Sequence, residues 1–161
     1  MKAPSLAILK KELKHRSPEE LEALCLRLAR FKKENKELLV YLLFDVDNEA
    51  HYVEEVKEYI SEAFTEINTH SFHYIKKSIR RILRVTKRYI RYSSVKETEI
   101  ELLLHFCKTL IEFKPTIKNN AAMMRLYYNQ IKLMERKLEG LHEDLQYDYS
   151  QEIAKLPFTE K

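Results

Sequence analysis

The chain has 161 residues and a single glycine, Gly140, beside four prolines at positions 4, 18, 115 and 157. Glycine accepts positive φ cheaply, and tight hairpins, strand-rich folds and phosphate-cradling loops depend on it. One glycine excludes both the dinucleotide fingerprint and the Walker loop. The elements must therefore be helices joined by short turns. Cysteine is almost as scarce. Cys25 and Cys107 are too few for a disulfide framework, and no Cys-x-x-Cys occurs, which excludes zinc-ribbon and thioredoxin-type chemistry. Each falls within an apolar helical pattern, so both are expected as buried thiols. Two unpaired thiols and the lack of a signal-peptide pattern point to the reducing cytoplasm. The longest apolar run, Leu38 to Phe44, is seven residues. That is too short to span a bilayer.

What is present is helix-forming. Hydrophobic residues make up 45% of the chain and charged residues 34%. Leu, Lys, Glu and Arg dominate, and all are good helix formers. The expectation is one all-α domain over 1–161: a helical bundle or short helical-hairpin array of six to eight helices, with frayed ends at 1–4 and 157–161.

Local signals place the helices. Residues Ser5 to Leu13 read as a short first helix. Ser17-Pro18-Glu19-Glu20 supplies an N-cap serine, a proline at the first helical position and a reciprocal glutamate at N3. The stripe Leu21, Leu24, Cys25, Leu28, Phe31 follows, and Asn35 is the expected break before Leu38–Phe44, the segment expected to be most buried. Asp47-Asn48-Glu49 opens a helix with Tyr52, Val53, Val56, Ile60, Ala63, Phe64 and Ile67 inside. Thr69-His70-Ser71 marks the junction before a helix over 72–92. Ser94-Val95-Lys96-Glu97 reads as a second capping box, and Pro115 closes the helix it opens. From about Asn119 to Leu156, Ile131, Met134, Leu138, Leu141 and Leu145 keep steps of three and four straight through Gly140. That register favours one long C-terminal helix of about 55 Å, with a helix end at Gly140 as the rival reading. Its heptad-like run could also pair two copies through 119–156. The expected core includes Leu24, Leu28, Leu39, Leu42, Val56, Ile60, Ile79, Ile82, Leu103, Cys107, Ile131 and Leu138. The pattern Leu-x3-Cys-x2-Leu-x2-Phe occurs twice, at Leu21–Phe31 and Leu103–Phe113. Two amphipathic helices can match this far by coincidence.

One segment carries a distinct charge pattern. On a wheel of about 100° per residue, Lys76, Lys77, Arg80, Arg81, Arg84, Lys87, Arg88 and Arg91 fill an arc of about 140°. Tyr74 and Tyr92 border it, and no acidic residue lies between Lys76 and Arg91. Such a face can release counterions on binding phosphates, and its tyrosines can stack on unpaired bases. The plainer reading is a face compensated within the molecule. The preceding segment carries Asp45, Asp47, Glu49, Glu54, Glu55, Glu58, Glu62 and Glu66 against Lys57 alone, so an antiparallel pair of helices could match −7 with +8.

Metal chemistry has two weak candidates. Glu66, His70 and His73 have face-sharing spacing, but the Thr69-His70-Ser71 junction interrupts it. Glu139-x-x-His142 is one carboxylate–histidine pair where a di-iron bundle needs two and more glutamates besides. No catalytic residue, metal or cofactor is therefore assigned. The function expected is a non-enzymatic helical interaction module with a protein partner. The alternative is an RNA- or DNA-binding accessory protein using the basic face of 72–92.

Overall fold

The computed structural model describes residues 2–158. Of the ends expected to fray, Met1 and residues 159–161 lie outside the described residues. The protein is all-α: eight α-helices and no strand among the described residues. They are α1 (Leu6–Leu13), α2 (Pro18–Phe31), α3 (Lys33–Val40), α4 (Glu49–Thr65), α5 (Phe72–Tyr92), α6 (Lys96–Glu112), α7 (Ala121–Leu138) and α8 (Glu143–Ala154), with a π-helical turn over Tyr41–Asp45. The chain divides into two units, one ending at Phe44 and one beginning at Asp45.

In the first unit the capping box at Ser17 forms as its sequence dictates. The Glu20 N–H donates to Ser17 Oγ at 3.1 Å, and the Ser17 N–H donates to Glu20 Oε2 at 3.2 Å. The break between α2 and α3 falls at Lys32, whose backbone is extended, not at Asn35. Asn35 lies inside α3 and bridges back, its Nδ2 donating to the Leu28 carbonyl at 2.8 Å. None of α1, α2 and α3 contains a buried residue. The expected core positions Leu24, Leu28 and Leu42 are exposed, Leu28 by 61%, and Leu39 is half-buried. Within Leu38–Phe44 only Tyr41 is buried, while Phe44 is 74% exposed. The reason is that periodicity marks an apolar side of a helix and not whether another element covers it, and along α1–α3 these side chains stay accessible. Cys25, expected inside, is exposed for the same reason.

The second unit has a true core, and α6 is its centre, packing on α4, α5, α7 and α8. Ile100, Leu102, Leu103, Leu104, Phe106, Cys107 and Leu110 are all buried. Apolar residues all round a helix are the pattern of a central one. The remaining core expectations hold at Val56, Ile60, Ile79, Ile82 and Ile131, with Leu138 half-buried. Helix α6 opens without the expected capping box. Val95 is its N-cap and has no side-chain cap bond, while Ser93 Oγ accepts from the Val95 N–H at 3.1 Å.

The long C-terminal helix is two helices. α7 ends at Leu138 and α8 starts at Glu143, with His142 as its N-cap. Gly140 sits in the turn, its N–H donating to the Lys137 carbonyl at 3.2 Å and its carbonyl accepting from Lys96 Nζ at 3.2 Å. Its φ is not positive, so the turn is not a left-handed glycine cap. Two short helices let Ile131, Met134, Leu141 and Ile153 all be buried. The stripe offered for pairing two copies is thus spent inside the unit.

Candidate polyanion-binding face

Helix α5 begins where Ser71 Oγ accepts from the Tyr74 N–H at 3.5 Å and ends where Ser93 turns extended. Ile75, Ile79, Ile82, Leu83 and Thr86 are buried, and Thr86 satisfies its hydroxyl on the Ile82 carbonyl at 2.9 Å. With that face turned in, the helical period places the cations outside. Lys77, Arg80, Arg81, Arg84 and Arg91 are exposed, and Lys76, Lys87 and Arg88 are half-buried.

Seven of the eight cations, Arg88 set apart, lack the expected compensation by α4 among the described residues. Among the described residues, no carboxylate lies within ion-pairing distance of Lys76, Lys77, Arg80, Arg81, Arg84, Lys87 or Arg91. Two of the α4 carboxylates, Glu54 and Glu49, have partners outside the basic row. Glu54 pairs with Lys57 at 2.9 Å, and Lys57 reaches Glu101 of α6 at 3.4 Å. Burial pulls the Lys57 pKa down, but the two glutamates outweigh it and hold it above its ordinary value. Glu49 accepts from the hydroxyls of Ser93 and Thr98. The α4–α5 contact includes aromatic side chains: the Tyr52 hydroxyl donates to the Tyr89 carbonyl at 2.8 Å, and the Tyr59 and Tyr89 rings meet edge-on at 5.6 Å.

The face is not uniform. Arg88 belongs partly to the packing, its guanidinium 5.7 Å from the Tyr89 ring centroid. Tyr92 is half-buried and meets Tyr89 edge-on at 6.1 Å. Tyr74, at the other end, is 49% exposed and leans on His73. A base could stack on Tyr74 far more readily than on Tyr92.

Compared with family models, curated proteins and solved structures, this chain matches none. Function rests on the chemistry of its own residues.

Outside α5, the histidines and carboxylates form no built site among the described residues. Glu66 caps the end of α4, His70 lies in the following turn and His73 in α5, so the three do not share a helix face. Glu139 and His142 cap different helices, and His142 Nδ1 accepts from the Asp144 N–H at 3.3 Å. Asp45, His51 and Glu55 do bring three potential ligand atoms within 4.8 Å of one another. His51 and Glu55 are exposed and already form an i,i+4 pair at 3.8 Å, an ordinary helix-surface arrangement.

One pairing was invisible in the sequence. Ser61 Oγ lies 2.8 Å from His105 Nε2, joining α4 to α6. Burial first, and the Lys57 charge second, hold the imidazole below its ordinary value, so it is neutral at pH 7 and able to accept. Residues 44 apart in sequence give no spacing signal. Ser61 sits in a helix interior, where the backbone N–H groups are committed to the helix and cannot serve as oxyanion donors. The pair works as an interhelical tie. The buried Cys107 thiol is pushed up to about 12 by burial, which leaves it inert at pH 7.

Proposed function

We propose that the chain is a non-enzymatic helical binding module, and that its α5 face holds a nucleic acid through the phosphate backbone. The observation that carries this reading is the row of seven cations without a carboxylate partner among the described residues. Like charges at i,i+4 destabilise a helix by about 0.2–0.5 kcal/mol each. Lys76/Arg80, Lys77/Arg81, Arg80/Arg84 and Lys87/Arg91 are four such pairs. A bound polyanion would relieve this repulsion.

Geometry supports the phosphate class. Cations from Lys76 to Arg91 extend over about 22 Å, and their i,i+3 and i,i+4 steps place a charge every ~5 Å. Such a row can track a backbone without reading its sequence. A cytoplasmic location fits the same reading, since nucleic acid is available there and a reducing medium suits two free thiols.

The test is fluorescence anisotropy with labelled RNA and DNA oligonucleotides at low salt. Lys77→Glu/Arg81→Glu/Arg84→Glu, all at exposed positions, should abolish binding while circular dichroism stays that of the wild type. Binding of the triple variant equal to wild type would refute the reading.

A further inference from the structure

The first unit offers a second, independent surface. Along α1–α3 and the π-helical turn most large apolar side chains, Tyr41 apart, stay in water. Leu6 is 83% exposed and Phe31 77%. Contiguous apolar exposure of this kind marks an interaction surface. Two grooves run through it. One, of about 730 Å³, has balanced charges: Glu12 and Glu20 against Arg16 and Arg27. The other, of about 590 Å³, takes its apolar lining from Leu26 and Ala29 of α2 and from Leu39, Val40 and Leu43. Its charged residues are Arg30, Lys32, Lys33 and Lys36, all basic. Lys33 also reaches Glu37 at 3.7 Å.

We propose that the groove lined by α2 and α3 docks an amphipathic helix of a partner protein, apolar along its inner face and acidic along its edges. A slot between two helices fits the ridge of a third. Four cations and no anion in the lining select acidic flanks by charge complementarity. A second copy of this chain does not meet that description. Its acidic helices α4 and α8 already bury their apolar faces, with Val53, Val56, Ile60 and Ile153 turned inside. Its first unit brings ten Lys and Arg against six Glu, the same positive excess.

The experiment uses the full chain and a fluorescein-labelled peptide of about three heptads, with Leu at the inner positions and Glu at the flanking ones. A second peptide carries Lys in place of Glu. The Glu peptide should bind at least about ten-fold tighter than the Lys peptide, and more weakly as salt rises. Leu26→Asp should lose most of that binding. Should Leu26→Asp fail to fold, Arg30→Glu/Lys36→Glu, at exposed positions, decides the matter by reversing the preference between the two peptides. The Lys77→Glu/Arg81→Glu/Arg84→Glu variant should bind the Glu peptide as wild type does, which separates this groove from the α5 face. Four results would overturn the proposal: no binding of the Glu peptide, equal binding of both peptides, uptake of the chain by phosphatidylserine vesicles without competition from the Glu peptide, or a stable dimer that Leu26→Asp dissociates.

Discussion

Cys107 is buried with its thiol raised to about 12, whereas Cys25 is exposed. A maleimide should therefore label Cys25 within minutes in the native protein and Cys107 only after denaturation. Mass spectrometry of the labelled chain checks this, and fast labelling at both sites would contradict the described core. Leu103→Ala should cost about 2–5 kcal/mol in urea unfolding, since Leu103 is fully buried. Leu28→Ala, at a position 61% exposed, should stay within about 0.5 kcal/mol. These pairs explain where sequence reasoning stops at this scale. Leu21–Phe31 and Leu103–Phe113 share one pattern, yet Leu103, Cys107 and Leu110 are buried while Cys25, Leu28 and Phe31 are exposed. Periodicity shows that a helix has an apolar face. It carries no information about whether another element covers that face.

Among elements, the α4–α6 contact is pH-sensitive through His105. Its folded pKa lies below the ordinary 6.5, so between the two values the unfolded chain binds more protons than the folded one. Stability is complete above about 6.5 and falls as pH drops towards the folded value. Urea midpoints measured from pH 7.5 to 5 should decline, and His105→Gln should flatten part of that decline. An unchanged slope in the variant would exclude His105 as the source. The α7–α8 turn makes a second prediction. A Cβ on Gly140 would meet no atom closer than 3.6 Å and no positive φ opposes it. Gly140→Ala should be neutral or stabilise by up to about 1 kcal/mol in thermal unfolding; a clear loss would show that the turn needs glycine. Helix boundaries were legible wherever a cap is local. Ser17, Asn48 and Ser71 cap as their sequences dictate. The α7–α8 break at Gly140 was legible only as the rival reading, because the three-and-four register passes through it. The choice is made by packing, which buries Ile131, Met134, Leu141 and Ile153 together only if the rod is broken.

Across the whole molecule, charge is the property that distinguishes the parts. Up to Phe44 the chain carries a net +4, equal to that of the entire protein, so the remainder is neutral overall. That neutral remainder is nonetheless polarised, with α4 acidic and α5 basic. Opposite charge on neighbouring helices predicted mutual pairing across the whole face, but seven of the eight α5 cations have no carboxylate partner among the described residues, and Tyr52, Tyr59 and Tyr89 join the two helices. Sequence therefore located the basic face residue by residue but could not show that seven of its cations have no carboxylate partner among the described residues. No described helix is long and apolar enough to cross a membrane.

The most direct test of the account is the salt dependence of duplex DNA binding by the α5 face. Contact with about five phosphates gives a slope of log K against log salt near −4.5, and Arg81→Ala should reduce its magnitude by about 0.9. A flat salt response, or a slope that Arg81→Ala leaves unchanged, would contradict the assignment of α5 as the phosphate-binding surface.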